Sequence, residues 1–135
     1  MSIEENKAVV RRLMTEIERG NLASIDELIA PDFVFHNPSD PSVGGGPEGY
    51  RRWLAQRGSP GNDRITIEDQ LAEGDKVATR FTVHGTHAET GKPVTVTVIA
   101  IDQLQDGRLV GHWDEADVLG MLQQIGAIPA SGATS

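Results

Sequence analysis

From Arg64 onward the chain becomes four β-branched, alternating stretches: Ile65 to Ala72, Lys76 to His84, Pro93 to Leu104 and Arg108 to Asp114. No other feature limits the fold as much. The breaks between them, Glu73-Gly74-Asp75, Glu89-Thr90-Gly91 and Gln105-Asp106-Gly107, are short and carry glycine, so each can close a hairpin. Strands joined this way run antiparallel, and this half of the chain predicts a meandering antiparallel sheet.

Upstream the period is helical. Ile3 to Arg19 places Val10, Leu13, Met14 and Ile17 on one stripe, and Gly20 supplies a left-handed stop. Asn21 is placed to cap a shorter helix with apolar Leu22, Ile25, Leu28 and Ile29, ended by Pro31. Asp32 to His36 alternates as a short strand with Phe33 and Phe35 on one side, before a loop holding Pro38, Pro41 and Gly44 to Gly46. Pro47 opens a third helix with Tyr50, Trp53, Leu54 and Arg57 on one stripe, broken by Gly58, Pro60 and Gly61. Helices first and sheet afterwards is an α+β pattern in which a curved sheet wraps three N-terminal helices. The 135 residues form one domain, with 130–135 a fraying tail.

Composition narrows the chemistry. Twelve Lys and Arg against twenty Asp and Glu give a net charge of −8, which repels nucleic-acid backbones and anionic membranes. With no cysteine, thiolate catalysis, disulfides and Cys-containing metal sites are excluded. No apolar run approaches the about 18 residues of a membrane span, and the start MSIEENKAVV is not a leader, so the expectation is a soluble cytoplasmic protein. No Gly-x-Ser-x-Gly elbow is present, and the triple glycine lacks the Gly-Lys-Ser/Thr of a phosphate loop. His84 and His87, three apart on a strand, point to opposite faces, so no metal is expected.

Strand parity sorts the remaining polar groups. Val77, Phe81 and Val83 share a face with His87. On the last strand Leu109 and Trp113 share a parity that reaches Asp117 if the strand persists, leaving His112 and Asp114 on the opposite face. A carboxyl beside a Trp in an apolar space has its pKa raised and becomes a general acid or base. Asp117 equally precedes Val118, Leu119, Met121, Leu122 and Ile125, a short helix closed by Gly126, where Asp is a favoured cap and its pKa falls. His36 is a pocket group or a loop-edge hydrogen bonder. His87 is a cavity group or a solvated hairpin tip. Tyr50, Trp53 and Trp113 are ligand platforms or core.

The phrases Asp32-Phe33-Val34-Phe35-His36-Asn37-Pro38, Gly46-Pro47-Glu48-Gly49-Tyr50, Ala72-Glu73-Gly74-Asp75-Lys76-Val77, Gly85-Thr86-His87 and His112-Trp113-Asp114-x-x-Asp117-x-x-Gly120-Met121-Leu122-Gln123-Gln124-Ile125-Gly126 resemble the SnoaL-like polyketide cyclases of the nuclear transport factor 2-like superfamily. The likeness runs from the first helix to about Pro129. It implies a cone-shaped α+β barrel with a deep apolar pocket and a short C-terminal helix, assembled as a homodimer through the outer sheet face. It also implies an intramolecular aldol closure of an aromatic polyketide ester by acid/base chemistry, without cofactor or metal. By the motif the family's acid/base aspartate falls on Asp117, and His36, Asn37, Trp53, His87 and Trp113 would line the pocket. This chain departs in its short Ala88-Glu89-Thr90 loop and in Gly111, where relatives tend to carry Glu. The alternatives are a non-catalytic ligand-binding or assembly module, or an epoxide hydrolase or isomerase relative. The hydrolase type flanks an Arg with two Asp residues, a pattern Arg80 lacks, and ketosteroid isomerase needs a Tyr with a protonated acid, which Tyr50 on a helix fits poorly.

Overall fold

The computed structural model describes residues 1–57 and 63–129. Helix α1 spans Ile3–Glu18 and starts at a capping box. The Ser2 hydroxyl accepts from the Glu5 N–H at 3.1 Å, while Glu5 Oε1 accepts from the Ser2 N–H at 3.2 Å. Its stripe buries Val10, Leu13 and Met14 as the spacing predicts, and Gly20 ends the helix at φ 75°.

The second helix differs from expectation. A 3₁₀ turn over Leu22–Ser24 leads into a four-residue helix α2, Ile25–Leu28, and Ile29 already belongs to strand β1, Ile29–Phe35. Asn21 makes no cap; its amide hydrogen-bonds Glu16 at 2.5 Å. Pro31 restricts the residue before it to extended backbone, and a proline lacking an N–H is tolerated on an edge strand, which β1 is. Helix α3 covers Gly46–Arg57, and strands β2 (Arg64–Glu73), β3 (Lys76–Thr86), β4 (Pro93–Gln105) and β5 (Arg108–Ala116) follow, closed by helix α4 over Val118–Gln124. The expected breakers Gly58, Pro60 and Gly61 and the tail from Ala130 lie outside the described residues. Among the described residues no helix is long and apolar enough to cross a membrane.

The sheet order is β1-β5-β4-β3-β2. The β2 to β5 meander is antiparallel through hairpins, as the turn chemistry requires, and the Asp106-Gly107 turn has both residues at positive φ, 53° and 80°. The sheet is mixed, however, because β1 pairs with β5 in parallel, Phe35 opposite His112. That pairing joins segments far apart in sequence and has no local signal. The concave face closes over α1, α2 and α3, where Val10, Ile25, Ile29, Phe33, Val77, Val98 and Leu109 are fully buried. Each stabilises the fold by about 1.5–3 kcal/mol.

One irregularity decides the site. Opposite β4, Leu104 pairs with Leu109 and Gln103 pairs with Gly111, so Val110 is an inserted bulge residue. Leu109 faces the core, but beyond the bulge the inward positions are His112 and Asp114, and Trp113 turns outward. The uninterrupted parity count placed these three on the reverse faces, and the bulge corrects it.

Candidate active site

A recess of about 200 Å³ opens where the end of β1, the last turn of α3 and the middle of β5 meet. Phe35 and Trp53 form its apolar wall, with ring centroids 5.1 Å apart. Asn37, Asp40, Gln56, Arg57, His112 and Asp114 supply its polar groups. A larger depression of about 540 Å³ lies at the far end of the cone beside Met1 and Asn6, but its lining brings together no imidazole, guanidinium or aromatic ring.

The recess is organised around His112, buried at 6% exposure. Its Nδ1 lies 2.6 Å from Asp102 Oδ1 and its Nε2 lies 2.7 Å from Asp114 Oδ2. Phe35 meets the imidazole edge-on at 5.7 Å and Trp53 at 5.3 Å, which fixes the ring plane. Burial alone would strip the charge from this imidazole. The charges and hydrogen bonds of Asp102 and Asp114 outweigh it and push the pKa up to about 9. Burial alone would likewise raise Asp114, but the His112 hydrogen bond and charge, with Arg57 beside it, hold the carboxyl below its ordinary range. Arg57 Nη1 is 3.4 Å from Asp114 Oδ2, and its guanidinium sits 4.3 Å over the Trp53 ring.

Two carboxylates reach the recess. Asp40 is committed: the Ser42 N–H and hydroxyl donate to its Oδ1 at 2.9 and 2.6 Å, and Gln56 donates to its Oδ2 at 2.8 Å. Both side-chain contacts of Asp114 go to Oδ2, which leaves Oδ1 without a hydrogen bond among the described residues.

The expected site residues separate into groups. Trp53 and Asn37 line the recess. Asn37 continues the β1–β5 ladder with its side chain, donating to the Asp114 carbonyl at 2.8 Å and accepting from the Asp114 N–H at 3.1 Å. His36 and Trp113 lie together on the outer sheet face, their rings stacked at 4.1 Å and 11°. The His36 ring covers Gly111, where an added Cβ would come within 2.9 Å of Nε2, so the missing side chain there makes room for the stack. His87 closes its own hairpin, with Nδ1 3.1 Å from the Thr90 hydroxyl and accepting from the Thr90 N–H at 3.3 Å. Asp117 is exposed beyond the end of β5 and caps α4, accepting from the Gly120 N–H at 2.9 Å. Of its two roles in the sequence, the geometry gives it the cap.

Sequence reasoning missed Asp102, His112 and Asp114 as a group. A signal was present: in the inward series Val94, Val96, Val98, Ala100, Asp102, Leu104, one carboxylate interrupts an apolar face, and a buried carboxylate requires a cationic partner.

A mixed sheet curved over three helices, with an ionisable cluster held against its inner face, defines an α+β cone of the nuclear transport factor 2-like kind. Residues 8–125 match the SnoaL-like polyketide cyclases, and the chain belongs to that family. It is similar to TsrD from Streptomyces laurentii at 26% identity and TM-score 0.82, over 95% of this chain and 99% of that one. It is similar to wild-type IdmH from Streptomyces antibioticus at 31% identity and TM-score 0.75, over 90% and 98%. A loop-truncation variant of IdmH matches at 33% identity and TM-score 0.75, over 90% and 99%. No curated protein matches the sequence.

Proposed function

We propose that this protein is a cofactor-independent cyclase of acid/base type, acting on a small, largely apolar, oxygenated molecule, with Asp114 rather than Asp117 as its catalytic carboxylate. The observation that carries this is Oδ1 of Asp114, without a hydrogen bond among the described residues, in a recess walled by Phe35 and Trp53 and beside two cations, His112 and Arg57. Asp114 takes an α-proton, the enolate carbon attacks a carbonyl of the same molecule, and the new alkoxide takes the proton back from the Asp114 carboxyl. No atom is gained or lost. A carboxylate held ionised is a weak base, so the α-proton must itself be acidic, as between two carbonyls of a polyketide-like 1,3-dicarbonyl ester. Arg57 and His112 favour the enolate oxygen electrostatically in a partly desolvated site.

A push-pull by two carboxylates, as in the epoxide hydrolase type, fits less well. Asp102 stands behind His112 at 3% exposure and does not line the recess. A pure binding module remains the competing outcome, and homodimerisation through the outer sheet face belongs to the same proposal.

The test is turnover of 1,3-dicarbonyl aryl esters, followed by chromatography, for wild type, Asp114→Asn and Asp117→Asn. Asp114→Asn should lower kcat by about 10²–10⁴-fold with ligand affinity kept within a few-fold, and Asp117→Asn should leave kcat unchanged. Undiminished turnover in Asp114→Asn overturns the assignment. Binding without turnover in the wild type makes the protein a ligand-binding module.

A further inference from the structure

The catalytic proposal leaves Asp102 without a task, yet its placement is the costliest in the sheet. It is 3% exposed in an otherwise apolar inward row of β4. A lone carboxylate there is strongly disfavoured unless a hydrogen-bonded cation accompanies it. Its partner is His112 Nδ1 at 2.6 Å, and the opposite nitrogen of the same ring is 2.7 Å from Asp114. A neutral imidazole has a single N–H and can donate to one of these carboxylates, whereas an imidazolium donates to both. From this geometry we propose that Asp102 is a positioning residue for the reaction: it keeps the His112 ring doubly protonated and oriented so that Nε2–H stays on Asp114 Oδ2. It rests on the assignment of Asp114 as the base, because its consequence is that Asp114 remains ionised, with Oδ1 free for substrate, across the neutral range.

The surroundings of the ring leave this task to Asp102. Among the described residues, the charged groups around His112 are Asp102 from β4 and Asp114 from its own strand, both on the ring, with Arg57 from α3 and Asp40 from the loop after β1 in the same recess. Phe35 and Trp53 supply apolar contact. Arg57 opposes a second positive charge and Asp40 is taken up by Ser42 and Gln56, so Asp114 would be the one remaining carboxylate, among the described residues, in contact with the imidazolium. With Asp102 neutralised the ring becomes neutral near pH 7. Its one proton then divides between the two nitrogens, and Asp114 faces an unprotonated Nε2 for part of the time.

Two readouts test this. Ring ¹⁵N NMR of wild type should show both His112 nitrogens protonated from pH 5 through pH 8, a measurement that needs no substrate. In Asp102→Asn the ring should be neutral by pH 7. The kcat should fall at least tenfold more at pH 8, where the variant's ring is neutral, than at pH 5, where the ring regains its proton, with KM within twofold. Asp102→Glu, which restores the charge, should recover the doubly protonated ring and most of the rate at pH 8. A neutral His112 in wild type at pH 7 overturns the proposal, and so does an unchanged ring state and pH profile in a folded Asp102→Asn. Should Asp102→Asn not fold, the wild-type spectrum and Asp102→Glu decide. A doubly protonated ring together with full activity in Asp114→Asn would retain the imidazolium and remove the assignment of Asp114 as base, so the two failures are distinguishable.

Discussion

At the scale of single residues, the consequence of His112 is a stability that depends on pH in a fixed direction. Its folded-state pKa, about 9, lies above the ordinary 6.5, so the folded protein holds the proton more tightly than the unfolded chain. The stabilisation is therefore complete below about pH 6.5 and disappears as the pH rises through about 9. A rise from 6.5 to about 9 corresponds to roughly 3 kcal/mol, shared with the carboxylates that cause it. Asp114 works in the opposite sense: its depressed pKa contributes stability above the ordinary carboxylate range and loses it in acid. Urea unfolding at pH 6.5 and 9.5 should show the wild type losing on the order of 3 kcal/mol, and His112→Gln should lack most of that slope. A flat wild-type profile would mean that the ring is neutral when folded. Asp117 makes a separate prediction. As an exposed cap it should cost about 1 kcal/mol on replacement by alanine, and almost nothing on replacement by asparagine, with the recess untouched. A loss of turnover in Asp117→Ala larger than its loss of stability would return Asp117 to the chemistry.

At the scale of elements, the recess depends on how closely α3 approaches the loop before it. A Cβ on Gly49 would lie 2.7 Å from both the carbonyl carbon and the oxygen of Gly44, backbone atoms that cannot swing aside, so Gly49→Ala must displace the helix. Because α3 carries Trp53, Gln56 and Arg57 to the recess, this substitution should destabilise by about 1–3 kcal/mol and weaken ligand binding. Thermal unfolding and ligand titration check it, and a neutral result would show that the loop yields freely. Elements built from local chemistry were legible beforehand: the Val10, Leu13, Met14 stripe, the Gly20 stop, the Asp106-Gly107 hairpin and the α4 cap all follow from residues within a turn of one another. What escaped is non-local or breaks the period. Nothing near Phe35 announces that it will lie beside His112, and the one local mark of the bulge at Val110 is the strand-interior Gly111 that follows it, which the parity count passed over. One inserted residue was enough to exchange the two faces of β5, so Trp113 was assigned inward and His112 with Asp114 outward. The inward placement of Trp53 was legible because α3 keeps its helical period unbroken from Gly46 to Arg57.

At the scale of the whole molecule, the outer sheet face carries an apolar row that crosses four strands. Leu71, Ala78, Ile101 and Trp113 are successive register partners from β2 to β5, and the neighbouring row is Asp69, Arg80, Ile99 and Glu115. Leu71 is 71% exposed and Ile99 54%, a poor arrangement for side chains meant to remain in water. The flanking row is charged and already internally paired, with Arg80 on Asp69 at 2.6 Å, so it forms a polar rim rather than a repulsive field. An apolar stripe with a paired polar rim suits face-to-face packing of two sheets about a two-fold axis, where each copy presents the same stripe to the other. The homodimer proposed with the cyclase activity should use this surface. Light scattering behind gel filtration should give a dimer for wild type at micromolar concentration. Ile101→Asp should give a monomer, since it sets a charge opposite its own symmetry-related stripe. The recess faces the other side of the sheet, so the monomeric variant should keep the His112 ring state of the wild type. A wild-type monomer, or a dimer indifferent to Ile101→Asp, would free the outer face from this role and leave the His36–Trp113 stack to be explained by the folding of the β1 edge alone.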